Sequence, residues 1–314
     1  MKQTLVIGST VTDVILTVER LPHTGREADI LSQEMRIGGC AFNTSEMLRF
    51  AGIPYTLCSP LGGGVYGDFV RAELALRGIT PFVETPERAN GCCYCIVDAG
   101  GERTFMSHHG AEYLFKKEWL EQVPQANLDS IYFCGIEIDE ATGNEIIEFT
   151  EERRSATLFF APGPLICRLS PEKMKRILAL HPIIHLNHDE AAQFTGCTRP
   201  ADAAKAIYRR TGNTVIVTLG KDGACIYEAA KPLFGEPQAR CVQNKTYTIP
   251  AVPSPVADTI GAGDAHIGSL IAALKKGKRF AEAVQTANRI AAAVVSVSGA
   301  AAPEPYCRSI FAAL

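Results

Sequence analysis

No apolar run in this chain approaches the roughly 20 residues that a membrane-spanning helix needs, which excludes a helical membrane protein. A basic field is missing too. The net charge is −3, from 31 Lys and Arg against 34 Asp and Glu, so neither nucleic acid nor an anionic membrane is an expected partner. The stretch Met1 to Gly8 has one charge and then a short strand pattern. It lacks the long apolar segment and small-residue cleavage site of a signal peptide, and the expected compartment is the cytoplasm. After that strand, Gly8-Ser9-Thr10-Val11-Thr12 does not supply the G-x-G-x-x-G turn of a dinucleotide fold, which argues against an NAD-dependent oxidoreductase. Leu61-Gly62-Gly63-Gly64 reads as a tight turn between strand and helix near the site. It has no Gly-Lys-Ser/Thr ending, so it is not a Walker loop.

Paired thiols are also missing. The 11 cysteines are an odd number, and most are scattered singly. Cys92 and Cys95 form a C-x-x-C within Gly91 to Val97, which reads as a strand and turns the two to opposite faces. No second pair stands at zinc-finger spacing. His181, His185 and His188 are separated by a strand and a turn, which is not a zinc-ligand arrangement.

What is present is an ordinary globular composition, 46% hydrophobic and 21% charged, with no internal repeat, linker or low-complexity segment. The reading is one domain over residues 1–314. From residue 128 onward strands and helices alternate. Strands are expected at 130–134, 156–160, 183–186 and 214–219. Helices are expected at 140–154, 171–180, 267–274 and 287–297. Such alternation predicts an α/β fold with a parallel sheet and helices on both faces. Residues 14–36 and 91–109 read instead as short β pieces and a hairpin, a small β layer beside the α/β core that would serve as a lid.

The stretch Asp258-Thr259-Ile260-Gly261-Ala262-Gly263-Asp264 joins an extended approach to a helix start. Two glycines let backbone N–H groups converge, and a helix N-terminus adds unpaired N–H groups and partial positive charge, so the turn is an anion site. Asp264 inside it has two readings, a helix cap or a general base for phosphoryl transfer. Gly38-Gly39 opens another helix with Asn43 in its first turn, and Asp13 falls just past the end of the first strand. Asn187 and Glu190 read as a capping box, or as a pair able to orient water bound to Mg²⁺. Gly220-Lys221-Asp222-Gly223 suits a polyphosphate or any β-hairpin. Asn288 stands on an alanine-rich helix that can pack on a helix or on an adenine ring. His108 and His109 have no evident charge partner and read as loop residues.

With these pieces in place, the chain resembles the ribokinase-like (PfkB) carbohydrate kinase family. Asp258 to Asp264 is similar to that family's C-terminal signature, and Gly38-Gly39 with Asn43 to its N-terminal one. Asn187-x-x-Glu190 and Thr218 to Gly223 are similar to its nucleotide-side motifs. The four stand in the family's order across nearly the whole chain. The resemblance implies a doubly wound, mostly parallel sheet with a small β-sheet lid that clasps a homodimer. It implies an ATP-dependent kinase acting on a hydroxyl of a sugar or sugar-like molecule. Asp264 would then be the base, and Gly261, Ala262 and Gly263 the anion hole. Asp13, Gly38, Gly39, Asn43 and Glu137 would hold the acceptor. Asn187, Thr218, Gly220, Lys221, Gly223 and Asn288 would hold ATP, and Glu190 would support Mg²⁺ through water. A monovalent cation, K⁺, would rest on Asp258, Ile260, Val294, Val297 and Gly299. The chain departs from ribokinases at Val11 and Cys40, where they carry Asn and Lys. That points away from ribose, toward a nucleoside, another hexose or a sugar acid. A binding protein on the same scaffold would be expected to lose the base or an anion-hole glycine, and neither is lost.

Overall fold

The computed structural model describes residues 2–236, 243–297 and 302–314. Its strands in chain order are β1 (Gln3–Ile7), β2 (Val11–Val18), β3 (Ile30–Gly38), β4 (Tyr55–Cys58), β5 (Pro60–Gly63), β6 (Val83–Ala89) and β7 (Cys92–Val97). They continue with β8 (Arg103–His108), β9 (Leu128–Cys134), β10 (Thr157–Ala161), β11 (Ile183–Asn187), β12 (Val215–Thr218), β13 (Ala224–Glu228) and β14 (Lys245–Ile249). Eight of them make one sheet in the order β14-β13-β12-β11-β10-β9-β1-β4. The run from β4 to β12 is parallel, and β13 and β14 form an antiparallel edge.

Both faces of this sheet are buried, which is why its strands read as continuous apolar runs. Alternate residues enter two separate cores. Val6, Tyr132, Phe159, Ile183 and Ile216 pack on the side of the Cys40–Ala51, Ala262–Lys275 and Phe280–Val295 helices. Ile7, Phe133, Phe160, Ile184 and Val217 pack on the side of the Gly143–Glu151, Pro171–Leu178 and Pro200–Thr211 helices. The sheet is therefore doubly wound. β1 lies between β4, reached through β2, β3 and the Cys40–Ala51 helix, and β9, reached after the rest of the small sheet. Ligands of such sheets sit outside the carboxyl ends of the strands where the order reverses. Here that is the end of β1 and β9.

Two expected helices have notably different limits, and one further helix was not expected. The expected 140–154 helix is the shorter Gly143–Glu151, and a separate short helix, Gly135–Asp139, follows β9 where the strand was expected simply to end. The break at Thr142 lets its hydroxyl accept the Phe115 N–H at 3.0 Å. The expected 287–297 helix begins earlier, at Phe280, where Glu282 closes a capping box on Arg279. The Pro200–Thr211 helix was not foreseen, although Pro200 opens it at a position that tolerates a missing N–H. Gly62 and Gly63 lie in β5, paired with β6, and Gly64 opens a helix.

The second sheet has the order β3-β2-β7-β8. Its strands fall on the two segments expected to form a separate β layer. One rung runs Arg36, Asp13, Cys93, Ser107, and the next rung on that face includes Ile15, Cys95 and Phe105.

The Ala262–Lys275 helix is the centre of the first core, buried at every residue from Ala265 to Leu274. It crosses the Cys40–Ala51 helix at Gly268, where an added Cβ would fall 2.5 Å from the Thr44 carbonyl oxygen. Backbone cannot yield to that as a side chain would. Gly268→Ala is expected to cost about 1–3 kcal/mol through overpacking, read as a lower denaturation midpoint at unchanged slope. An unchanged midpoint would show that the helices can separate freely.

Candidate active site

Gly39 ends the approach to the Cys40–Ala51 helix with φ 104. An added Cβ there would lie 2.5 Å from the Ser9 carbonyl oxygen, so the turn is both left-handed and pressed against the end of β1. This places Asn43 in the first helical turn, facing the first turn of the Ala262–Lys275 helix. Asn43 Nδ2 donates to Asp264 Oδ2 at 3.0 Å. Gly261 is the N-cap of that second helix, with φ 72 and no side-chain cap. The Ala262 N–H bonds Thr259 O at 3.3 Å, and first-turn N–H groups have no partner within their own helix. Asp264 therefore does not cap its helix; its carboxylate is turned to Asn43.

Asp264 and Asp13 line one cleft of about 760 Å³ together with Ser9, Val11, Gly39 and Cys40. Burial pushes the Asp264 carboxyl up to about 6, opposed by hydrogen bonds from Asn43 and the Cys40 thiol. Asp13 is pushed to about 7, first by burial and then by the charge of Asp264. Gly38 gives Asp13 its room, since a Cβ there would fall 2.1 Å from Asp13 Oδ2. The small sheet forms the roof through Arg36, Cys93, Cys95, Phe105 and Ser107. Sequence reading missed these roof residues, although the two-residue alternation of the hairpin carried them.

Glu137 is not on the cleft wall. It is 1% exposed, and its two oxygens accept from the Ser9 N–H at 2.8 Å and the Cys134 thiol at 2.5 Å. Its role in this structure is to hold the end of β1 against β9, and burial raises its carboxyl.

The expected nucleotide residues lie at neighbouring strand ends. Asn187 and Thr218 are register partners of β11 and β12, and Gly220–Asp222 forms the turn that follows. Lys221 is exposed there. Asn187 and Glu190 form the capping box, with Glu190 accepting both the Asn187 N–H and its Nδ2 at 2.9 Å. Asn288 is turned inward. Its Nδ2 donates to the Ile249 and Pro250 carbonyls, and its Oδ1 faces His266 Nε2 at 3.0 Å. His266 Nδ1 in turn faces His185 Nε2 at 2.9 Å. Because the Asn288 oxygen can only accept, His266 carries its proton on Nε2 and His185 donates from Nε2. Burial holds both rings neutral, His266 down to about 4 and His185 well below its usual value. His266 thus ties the Ala262–Lys275 helix to β11 and to the Phe280–Val295 helix. His109 bonds Glu140 and stacks on Tyr113, whose ring is a cleft wall.

Of the expected cation ligands, Asp258 is buried and bonded to the Ile260 N–H at 2.9 Å. Ile260, Val294 and Val297 are described, and Gly299 lies outside the described residues.

A glycine turn at a helix N-terminus, a buried carboxylate in that turn and a β roof thus meet in one cleft of a doubly wound α/β protein. The chain belongs to the pfkB family of carbohydrate kinases, whose model matches residues 1–307. Escherichia coli (strain K12) has a relative described as "uncharacterized sugar kinase YegV", 33% identical over 299 residues, which cover 94% of this chain and 89% of the relative. Two solved structures share the fold. The ribokinase of Giardia lamblia superposes with a TM-score of 0.81 at 20% identity, over the full length of both chains. The ribokinase of Cryptococcus neoformans var. grubii serotype A, in complex with ADP, gives 0.75 at 21% identity over 96% of each. The protein is thus a kinase of this family. Among the described residues no helix is long and apolar enough to cross a membrane.

Proposed function

We propose that the protein transfers the γ-phosphoryl group of ATP to a hydroxyl, a primary one, of a sugar or sugar-like molecule. The observation that carries the reading is Asp264: a carboxylate in a phosphate-binding turn, oriented by Asn43 and titrating near neutrality. A base with that affinity takes a hydroxyl proton at the pH where the enzyme works. Asp13 and Asn43 hold the acceptor. Gly261, Ala262 and Gly263 turn their N–H groups toward the charge that spreads over the transferred group, the Ala262 N–H exchanging its 3.3 Å bond to Thr259 O for it. Asn187, Thr218, Gly220, Lys221 and Gly223 form the ATP side.

Among the described residues no three acidic, His or Cys side chains cluster as a metal cage. That suits Mg²⁺, which keeps its waters and rests on substrate phosphates. The Glu190 oxygens already accept from Asn187, so they fit an ion through water and not by direct ligation. When bound, the ion would neutralise charge on the phosphates. The small sheet closes over the acceptor and excludes water, which protects ATP from hydrolysis.

A nucleoside acceptor is the second reading. Val11 and Cys40 replace polar groups by apolar and thiol surface in the wall, and the cleft continues along Phe42, Phe69 and Leu76 beyond the room a pentose needs. ADP release from ATP with a panel of pentoses, hexoses, sugar acids and nucleosides decides between the two. ADP release that no acceptor stimulates would defeat both. The small sheet also exposes Ile30, Leu31, Phe105 and Met106, each more than half bare. Exposed apolar residues on both faces of the small sheet, with Phe105 on the cleft side and Met106 on the other, support a homodimer through the lid, and sedimentation that finds only monomer at assay concentration would remove that part.

A further inference from the structure

We propose that the Arg103 guanidinium stands in for a monovalent cation at the anion-hole turn, which makes Arg103 a positioning residue and leaves the kinase indifferent to potassium. The starting point is Asp258. Its side chain is 2% exposed, and a buried carboxylate must be matched by charge and hydrogen bonds. Oδ2 lies 3.0 Å from Arg103 Nη2, and Oδ1 accepts the Ile260 N–H at 2.9 Å. The carboxylate thus joins a cation on one side to the first residues of the glycine turn on the other. The backbone N–H groups of Ala257 and Asp258 are fixed to Val295 O at the end of the Phe280–Val295 helix, at 2.7 and 3.1 Å.

A potassium ion would need the same carboxylate for its charge. Here the single negative charge is already matched by a guanidinium in direct contact, and a second cation beside it would be repelled at short range. Val294 O, a further expected ligand, accepts the Val297 N–H at 3.3 Å. The residues present do not fit an additional monovalent ion.

The substitution is not neutral for the mechanism. Arg103 starts β8, opposite Val97, on the same face of the small sheet as Asp13, Cys95 and Phe105. A free ion can order the turn at any time. A cation carried on the roof orders it only when the roof is down over the cleft. Arg103 therefore couples acceptor enclosure to the readiness of Gly261–Gly263, across 155 residues of chain between the ion-pair partners. This role in turnover rests on the kinase reading; the exclusion of a second cation from Asp258 does not.

The experiment has two arms. Thermal unfolding without ATP or acceptor is followed in potassium chloride and in tetramethylammonium chloride at matched ionic strength. Wild type is expected to melt identically in both, and a saturable potassium-specific rise, the mark of a bound ion, would overturn the proposal. Arg103→Gln is expected to melt lower than wild type, and an equal melting point would show that the pair does not form. In the second arm, phosphoryl transfer by wild type is expected to be the same in both salts. Arg103→Gln should lose about 10²-fold in kcat, the scale of a damaged anion hole, with acceptor KM within a factor of about 3. Arg103→Lys, which keeps the charge, should recover most of that loss. Wild-type kcat in Arg103→Gln, or no recovery in Arg103→Lys, would overturn the positioning role. If no acceptor gives ADP, the kinase reading fails and the melting arm still decides the cation question.

Discussion

Asp264→Asn is expected to lower kcat by about 10² to 10⁴-fold, the range for loss of a general base. The change is nearly isosteric, so the fold and the Asn43 contact region stay filled. What disappears, on the proposed reading, is the acceptor for the hydroxyl proton. Asp264 suits the task for two reasons on view in the structure. Asn43 at 3.0 Å fixes its orientation, and burial keeps its affinity near pH 6. Since the ATP-side residues stand at other strand ends, KM for ATP should move little. Turnover by the Asn variant at the wild-type rate would end the base assignment and return Asp264 to a structural role.

Asn43→Asp should be nearly as damaging, for the opposite reason. It sets a second carboxylate about 3 Å from the first, where like charges repel by roughly 5 kcal/mol even at an effective dielectric of 20. The pair would share one proton at neutral pH, as close carboxylates do. In wild type, burial raises Asp13 to about 7, with the charge of Asp264 adding to it, and raises Asp264 to about 6. Raised carboxyls are protonated below these values, so kcat/KM of the free enzyme should fall as pH drops through 7 to 6. In Asn43→Asp that acid limb should move up by about 3 to 4 pH units, with kcat/KM at pH 7 down at least about 10²-fold. Coincident pH profiles for the two proteins would show that residue 43 does not face the base.

Much of this was legible in the sequence because it is local. The strands at 130–134, 183–186 and 214–219 are apolar runs that only a twice-covered sheet can hide. Gly261, Gly263 and Asp264 announce their turn within seven residues. Asn43 and Asp13 also stood out, since each follows a strand end or a glycine pair. What stayed hidden depends on distant partners. Arg103 looked like one more hairpin charge, and its meaning comes from Asp258, far along the chain. Glu137 has the composition of a sugar contact, but Ser9 and Cys134 occupy it. Asn288 and His266 are both polar on apolar helices, and only packing shows that they answer each other. The Pro200–Thr211 helix buries Ala203, Ala204, Ile207 and Thr211 at helical spacing, a periodic signal that was open to sequence reading and was passed over.

The buried pair of acids sets catalysis against durability. Asp13 and Asp264 hold protons more tightly folded than unfolded, so their stabilising effect is complete below pH about 4 and is lost as pH rises through about 6 and 7. His185 and His266 work the other way, and the fold loses their contribution as pH falls below their ordinary 6.5. At the pH where the base is ionised and useful, the histidines are at rest and the two carboxylates push against the protein that holds them. A variant made inactive by Asn at position 264 should then outlast the living enzyme in alkaline buffer, and the difference should vanish in acid. The kinase keeps its site in tension as a condition of using it.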